Sequence, residues 1–237
     1  MNASGISLWR QVGETLLQEI DQGVLSPGER LPTDADLAAR FQVNRHTVRR
    51  ALAHLQNEGL LRVERGRGTF IVEDVLDYRL GARTRFSENL HSSGRTPHRT
   101  LISAIEQPST EAVAEQLLLS VGDPVAVVRL LGDADGSPVS LGTNYFPLGR
   151  LPDILAAFAR QTSITKALKI VGVSNYRRRI TRIGARRPVA DEARLLKMAS
   201  NQPVLETESV DVDEDDQPII YSRTSFRSDR IQFYVET

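Results

Sequence analysis

Arginine is concentrated in one stretch of this 237-residue sequence. Seven arginines and two glutamates lie between residues 40 and 68, although the formal net charge of the chain is zero. A guanidinium presents forked N–H donors that can bind guanine edges or phosphate oxygens in pairs. Since a chain of balanced charge is not a general nucleic-acid binder, we predict that this stretch forms a local DNA-contacting surface.

The first arginines of the stretch fall on a predicted helix. Its buried face is indicated by apolar residues at the i, i+3, i+4 and i+7 positions, which are Val48, Ala51, Leu52 and Leu55. Asn44 can cap the first turn, because its side-chain oxygen can accept a bond from a free backbone N–H there. The polar residues at the start of the helix lie on other faces and are predicted to contact DNA: Arg45, His46, Thr47, Arg49 and Arg50.

A short hairpin is predicted to follow this helix. Residues 60–63 and 69–72 are typical of two strands, and glycines at 66 and 68 permit the positive φ of a tight turn. The tip of the turn is basic, and we predict DNA contacts from Arg65, Gly66 and Arg67.

Two further helices are predicted before this pair of elements. Apolar residues spaced by three and four from Trp9 to Ile20 predict the first, and Thr33, three residues before Asp36, begins a capping-box pattern for the second. Three helices followed by a basic hairpin are the order of a winged helix-turn-helix. The alternative, ordinary solvated arginines, does not explain six arginines on two adjacent elements.

The rest of the chain contains an approximate internal repeat. Residues 111–139 and 190–219 each combine a helical pattern, a Pro-Val pair, an alternating strand, a polar turn and a second strand. Such units cannot each bury a sheet face alone, so we expect one shared antiparallel sheet with helices on it, giving an α+β fold. We predict a DNA-binding domain over residues 1–74, a linker over 75–96 and a second domain over 97–237.

The linker and the second domain contain residue types that can bind a small anion. The candidate contacts are arginines, hydroxyl groups and aromatic rings: Arg85, Phe86, Ser87, Arg129, Tyr145, Ser163, Thr165 and Tyr221. Simpler roles remain open, namely helix capping for Ser163, an ion pair for Arg129 and core packing for the two tyrosines. The three arginines at 177–179 are interpreted as a solvated strand face.

Composition disfavours several other classes of protein. The chain has no cysteine, which excludes disulfides, thiolate zinc sites and cysteine nucleophiles. We expect a cytoplasmic protein, because no signal-peptide pattern and no run of apolar residues long enough to span a membrane occurs. The four histidines lack metal-ligand spacing, and no nucleophile elbow or glycine-rich phosphate loop is present, so we expect neither catalysis nor a cofactor or metal.

The N-terminal motifs resemble those of a known family. The chain is similar to the DNA-binding domain of GntR-superfamily regulators, and the resemblance is carried by residues 28–33, 37–41, 44–52 and 59–61 and by the glycine-rich hairpin. It implies that Arg45, Thr47 and Arg49 contact operator bases and phosphates, and that the hairpin enters the minor groove.

Residues 97–236 resemble the effector-binding domain of HutC-type members of that family, whose fold is similar to that of chorismate lyase. The clearest motifs are Asp135-Gly136-Ser137-Pro138 and Ser228-Asp229-Arg230. The resemblance extends to regulators of phosphonate utilisation, which implies a repressor of phosphonate genes that is released or modulated by a phosphonate or phosphate ester.

Partners and alternatives follow from the same residues. One recognition helix reads only a few base pairs, so we expect a homodimer on a pseudo-palindromic operator. The alternatives are a HutC-type regulator of another small metabolite, an enzyme of chorismate-lyase-like fold, and a DNA-binding architectural protein. The last would not need a second domain of this size.

Overall fold

The computed structural model describes residues 7–64, 66–72 and 75–236. The chain folds into two compact units, Met1–Asp74 and Val75–Thr237. Each unit is described by itself below.

The first unit consists of three helices and a hairpin. Its elements are α1 (Leu8–Asp21), α2 (Asp34–Phe41), α3 (Arg45–Asn57), β1 (Leu61–Glu64) and β2 (Gly68–Ile71). The predicted capping box is confirmed, since Thr33 accepts from the Asp36 N–H while the Asp36 carboxylate accepts from the Thr33 N–H. Fully buried Leu16, Leu37 and Val48 join the three helices in one core.

The second unit is built on a six-stranded antiparallel sheet. Its elements are β3 (Leu76–Arg79), α4 (Phe86–Ser92), β4 (Pro97–Pro108), α5 (Glu111–Leu117), β5 (Pro124–Ala134), β6 (Ser137–Pro147), α6 (Ile154–Arg160), α7 (Ile164–Ile170), β7 (Arg177–Arg186), α8 (Ala190–Leu195), β8 (Val204–Val212), β9 (Pro218–Arg227) and β10 (Ile231–Tyr234). The strand order is β4-β5-β6-β9-β8-β7.

This strand order confirms the shared sheet predicted from the repeat. The hairpin β5–β6 belongs to the first copy and β8–β9 to the second, and the two meet where β6 pairs with β9. The helices cross over between copies, because α5 packs on β9 and α8 packs on β6. Each helix thus contacts a strand of the other copy, so the two copies fold as one unit.

The two faces of the sheet carry different helices. Side chains of a strand alternate between faces, and Ala126, Val128 and Phe146 pack against α6 and α7. Val125 and Val127 lie on the other face, in a cluster with residues of α5, and a second cluster there includes residues of α8. We refer to these as the α6–α7 face and the α5–α8 face.

The segment predicted to be a linker belongs to the second unit, which corrects that prediction. β3 pairs in parallel with β10, and Tyr78 packs 5.1 Å from Phe226, measured between ring centroids. Asn89 on α4 accepts a bond from the Arg79 backbone N–H at 2.6 Å. The partner strand is at the far end of the chain, so no local pattern could indicate this pairing.

Candidate DNA-binding surface and ligand-binding pocket

The start of α3 presents an exposed polar surface. Arg45 and His46 are exposed, while Thr47 is tied to the cap because the Asn44 oxygen accepts from both its N–H, at 2.8 Å, and its hydroxyl, at 3.0 Å. Opposite this surface, Val48 and Leu55 are buried. The cap and the buried face therefore fix the direction in which the two exposed side chains project.

The other two arginines of α3 are engaged within the first unit. The Arg49 Nε atom lies 2.8 Å from the carboxylate of Asp34 at the start of α2, which leaves its side chain largely exposed. The Arg50 guanidinium lies 4.8 Å from the ring centroid of Trp9 in α1. Arg50 is thus placed toward α1, and the structure gives it a packing role that the sequence did not indicate.

The hairpin has the geometry predicted from its glycines. Gly66 has φ +79° and Gly68 has φ +123°, values that favour glycine. A Cβ atom at Gly68 would lie 2.6 Å from the Arg30 Nε atom. Arg67 is exposed and paired with Glu64, and the predicted contact Arg65 lies outside the described residues.

The cap of α3 can be tested by its effect on stability. Replacing Asn44 by alanine should lower the free energy of unfolding of the first unit by about 0.5–2 kcal/mol, because a helix N–H loses its acceptor. Urea denaturation followed by circular dichroism measures this. Asn44→Ser is the matched control and should retain most of the stability; an equal loss in both variants would contradict the capping role.

A cavity of about 470 Å³ lies on the α6–α7 face of the second unit. Five of the eight predicted ligand residues line it, namely Arg85, Phe86, Ser87, Ser163 and Thr165. The first three come from the start of α4 and the other two from the start of α7, while strands β5, β6, β8 and β9 form the floor.

Contacts with Tyr176 organise one wall of this cavity. The Arg85 guanidinium lies 3.6 Å from the Tyr176 ring centroid and donates to the Tyr176 carbonyl at 2.9 Å. The Thr165 hydroxyl lies 2.9 Å from the Tyr176 hydroxyl, and burial raises the pKa of that tyrosine. Ser163 caps α7, so the simpler role left open for it is present even though it lines the cavity.

Five charged residues that line the cavity were not among the predicted contacts, namely Glu88, Arg99, Lys166, Arg178 and Asp211. Arg99 on β4 stacks on Phe86 at 4.6 Å, and burial lowers the pKa of its guanidinium. Arg178 forms a two-point ion pair with buried Asp211, at 3.0 and 3.2 Å. The interpretation of Arg178 as part of a solvated face is therefore wrong, because its partner stands opposite it on β8.

Arg85 and Arg99 carry charges that the protein does not neutralise. Within the part of the chain that the structure describes, neither has a carboxylate within ion-pair distance. Two further cations, Arg178 and Lys166, also line the cavity, as do two carboxylates, those of Asp211 and Glu88. The cavity thus has an excess of positive charge and suits an anion.

Three of the predicted ligand residues lie outside this cavity, on the opposite face of the sheet. Leu130 and Gly132 line the cavity, so Arg129, which alternates with them, points to the α5–α8 face, where it pairs with Asp191 at 2.7 Å. Tyr145 and Tyr221 lie on the same face, stacked with ring centroids 5.5 Å apart. Burial raises the pKa of Tyr221 to about 12.

The α5–α8 face also holds an ion-pair network centred on Arg186. Its guanidinium donates two bonds of 2.7 Å to Glu192 and bonds of 2.9 and 3.0 Å to Glu206. Glu192 also accepts from Ser225 at 2.7 Å. The Arg186 bond, opposed in part by burial, lowers the pKa of Glu192 to about 2.

The Glu192 pKa has a consequence for acid stability. Because the pKa of Glu192 is lower in the folded state, its ionised carboxylate stabilises the fold. This contribution is complete above the ordinary pKa of 4.5 and is lost as the pH falls toward 2. Glu192→Gln should therefore lower the free energy of unfolding by about 1–3 kcal/mol at neutral pH and flatten its decline in acid. Urea denaturation across the acid range measures this. Glu115→Gln, at an exposed position of α5, is the control; matching acid profiles for both variants would contradict the coupling.

A basic surface on a winged helix-turn-helix, joined in one chain to a sheet domain, is the arrangement of a class of transcription regulators. Comparisons with known proteins agree. Residues 8–71 match the family of bacterial regulatory proteins named gntR, and residues 92–232 match the UTRA domain. The chain belongs to the GntR family of transcription regulators with a UTRA domain.

Named relatives share almost the whole chain. An uncharacterized HTH-type transcriptional regulator of Rhizobium meliloti, RB1450, is 37% identical and covers 98% of this chain and 96% of its own. The probable transcriptional regulator PhnF of Escherichia coli is 32% identical, over 96% and 94%. The crystal structure of PhnF from Mycobacterium smegmatis is 27% identical, with a TM-score of 0.66, over 95% and 98%.

These comparisons confirm the family and the fold class predicted from the sequence. The protein is a PhnF-like regulator with a GntR DNA-binding domain and a sheet-rich UTRA domain. Among the described residues, none of the helices combines the length and apolar character needed to cross a membrane.

Proposed function

We propose that this protein represses phosphonate uptake or utilisation genes. A phosphonate or phosphate ester, bound in the cavity on the α6–α7 face, would change its affinity for DNA. The observation that carries the proposal is the pair of cations in the cavity, Arg85 and Arg99, with no carboxylate partner among the described residues. A charge withdrawn from water without a partner is costly, so an anionic ligand would offset a cost already present. The 32% identity to a protein named PhnF favours phosphonates as that anion.

The proposed DNA contacts are the exposed residues of α3 and the hairpin. Arg45, His46 and Arg49 would reach base edges or phosphates in the major groove, with Thr47 beside them and Arg67 and Gly66 at the hairpin tip. Each is exposed or half-buried. The protein would bind a pseudo-palindromic operator as a homodimer, because two-fold symmetry doubles the sequence that is read.

The link between cavity and DNA affinity would run through the segment that follows the first unit. Arg85 and Ser87 line the cavity and lie a few residues after β3, the first strand of the second unit. A ligand changes DNA affinity only if it binds two states of the protein differently, typically by about 1–3 kcal/mol. Release of DNA is the expected direction for a repressor.

A thermal-shift panel tests the proposed ligand class. The full-length protein is melted with methylphosphonate, 2-aminoethylphosphonate, glycerol 3-phosphate and inorganic phosphate, and with glycerol and ethanolamine as neutral and cationic controls. We expect stabilisation by the phosphorus anions alone. Linkage is reciprocal, so the anion must lower the affinity for an operator duplex selected from a random library by the same factor by which that duplex lowers the affinity for the anion. Stabilisation by none of the anions would contradict the proposal.

A further inference from the structure

The segment before α2 runs alongside the hairpin of the first unit. Arg30 forms an antiparallel bridge with Phe70 of β2, and the Leu31 N–H donates to the Thr69 carbonyl at 2.8 Å. Residues 28–31 are therefore held in extended conformation against β2. The side chain of Arg30 has a defined position beside the hairpin, although it was not among the predicted DNA contacts.

Arg30 lies on the face of the hairpin that points away from the core. Leu31 and Ile71 are buried in the core of the first unit. Successive side chains of an extended chain point to opposite faces, so their neighbours Arg30 and Phe70 lie on the outer face. Arg62 stands opposite Phe70 on β1, with its guanidinium 5.1 Å from the ring centroid. The outer face thus carries a row of two arginines with an aromatic ring between them.

The side chain of Arg30 runs along this face toward the hairpin tip. Its register partner is Phe70, but its Nε atom lies beside Gly68, where a Cβ atom would be only 2.6 Å away. Gly68 is two residues, or about 7 Å, closer to the tip than Phe70. Since Gly68 also has φ +123°, a conformation that favours glycine, a side chain is disfavoured there. Gly68 therefore leaves open the space that the Arg30 guanidinium occupies.

The charge of Arg30 is not neutralised by the part of the chain that the structure describes. Glu64 on the hairpin pairs with both Arg62 and Arg67. Arg30 is exposed and has no carboxylate within ion-pair distance among the described residues. Its forked N–H donors are thus available to an anion, and a guanidinium can bind two phosphate oxygens at once.

Arg30 also lies between the two surfaces that are proposed to contact DNA. Gly68 connects it to the hairpin tip. Asp34, four residues after Arg30 in the chain, pairs with Arg49 of α3 at 2.8 Å. A DNA backbone that passes from the start of α3 to the hairpin tip would therefore cross the position of Arg30.

We infer that Arg30 is a further DNA contact, which binds a backbone phosphate beside the hairpin and is held in place by the space at Gly68. The inference rests on the proposed DNA contacts of α3 and the hairpin and adds a contact from a third segment, the one before α2. Phosphate contacts fix the position of a protein on DNA and carry no sequence information directly. Arg30 would thus contribute to affinity and register rather than to base recognition.

Arg30→Ala tests this contact in the full-length protein. Binding to the operator duplex and to a random duplex should weaken by the same factor, about tenfold at low salt, because a phosphate is present whatever the sequence. The slope of log affinity against log salt concentration should fall by about one unit for each bound subunit. Fluorescence anisotropy across a salt series measures both effects. The Tm should not change, since Arg30 has no ion-pair partner to lose.

Gly68→Ala tests the position of the side chain. The added Cβ atom would take the space of the Arg30 Nε atom, so this variant should lose part of the contribution of Arg30. We therefore expect Gly68→Ala to weaken DNA binding less in an Arg30→Ala protein than in the parent, by a factor of at least about two. Equal losses in the two backgrounds would contradict the role of Gly68 and overturn the inferred position.

Arg160→Ala is the matched control. Arg160 is exposed at the end of α6 in the second unit, and its removal changes the net charge by the same amount. DNA affinity and the salt slope should therefore stay those of the parent. A change of slope as large as that of Arg30→Ala would assign the effect to net charge and overturn the inference.

The remaining outcomes separate this inference from the proposed function. If Arg30→Ala keeps the affinity and slope of the parent while Arg45→Ala weakens operator binding, the inference is wrong and the proposed contacts of α3 stand. If the parent protein selects no duplex from a random library, the proposed DNA contacts are refuted together with the inference. A loss for Arg30→Ala on the operator alone would make Arg30 a base reader and would also overturn the phosphate contact.

Discussion

Replacing Arg45 by alanine is expected to weaken binding to a selected operator by about 1–3 kcal/mol, a factor of about 5 to 150. Arg45 stands exposed on the first turn of α3, with no ion-pair partner among the described residues. Its forked donors are free to bind a guanine edge, and random DNA has a guanine at the position read by Arg45 only by chance. Fluorescence anisotropy with operator and random duplexes measures both affinities, and the loss should be much smaller on random DNA.

Arg67→Ala is the matched comparison for this prediction. Arg67 is exposed at the hairpin and paired with Glu64 at the end of β1, so we expect it to act as a phosphate contact. Its removal should weaken binding to the operator and random duplexes by the same factor. It should also reduce the slope of log affinity against log salt concentration by about one unit. Equal losses on both duplexes for Arg45→Ala would contradict its assignment as a base reader.

Replacing Arg99 by methionine is expected to have opposite effects on ligand binding and on the stability of the free protein. Binding of the anion that stabilises the protein most should weaken by about 2 kcal/mol or more, a factor of about 30, because the anion loses a cation inside the cavity. The free protein should keep its melting temperature or gain, since a charge without a carboxylate partner is removed. Calorimetry and thermal melting measure the two effects.

Arg129→Met serves as the control for that experiment. Arg129 lies on the opposite face of the same sheet, paired with Asp191, so its loss should leave ligand affinity unchanged. An Arg99→Met variant that binds the anion as tightly as the parent would exclude Arg99 from the site. A variant that loses both binding and stability would indicate a structural role for Arg99.

The first unit could be predicted almost completely from the sequence. Its elements depend on interactions between residues close in the chain: the Asn44 cap, the Thr33–Asp36 capping box, the buried stripe of α3 and the glycines of the hairpin. Predicted strand boundaries were displaced by one residue, to Leu61–Glu64 and Gly68–Ile71. The contacts between helices required the folded structure, such as that of Arg50 with Trp9 and the ion pair of Arg49 with Asp34.

The sheet of the second unit could also be predicted, because the repeat is visible as a pattern. The site on it could not be predicted fully, since it depends on which face each strand residue occupies. Arg129 and Leu130 are adjacent in sequence and lie on opposite faces, so a shift of one position separates a ligand contact from an ion pair. Sequence spacing alone did not fix that choice for Arg129, Tyr145 or Tyr221.

By itself, the sequence determined the family, the helix caps, the basic surface and the residues of α4 and α7 that line the cavity. The tertiary structure decided the rest, because the remaining features depend on residues far apart in the chain. Pairing of β3 with β10 turned a predicted linker into part of the second unit. Packing of α4 and α7 over the sheet placed Arg85 and Arg99 in the lining of one cavity, although the two residues lie on different elements.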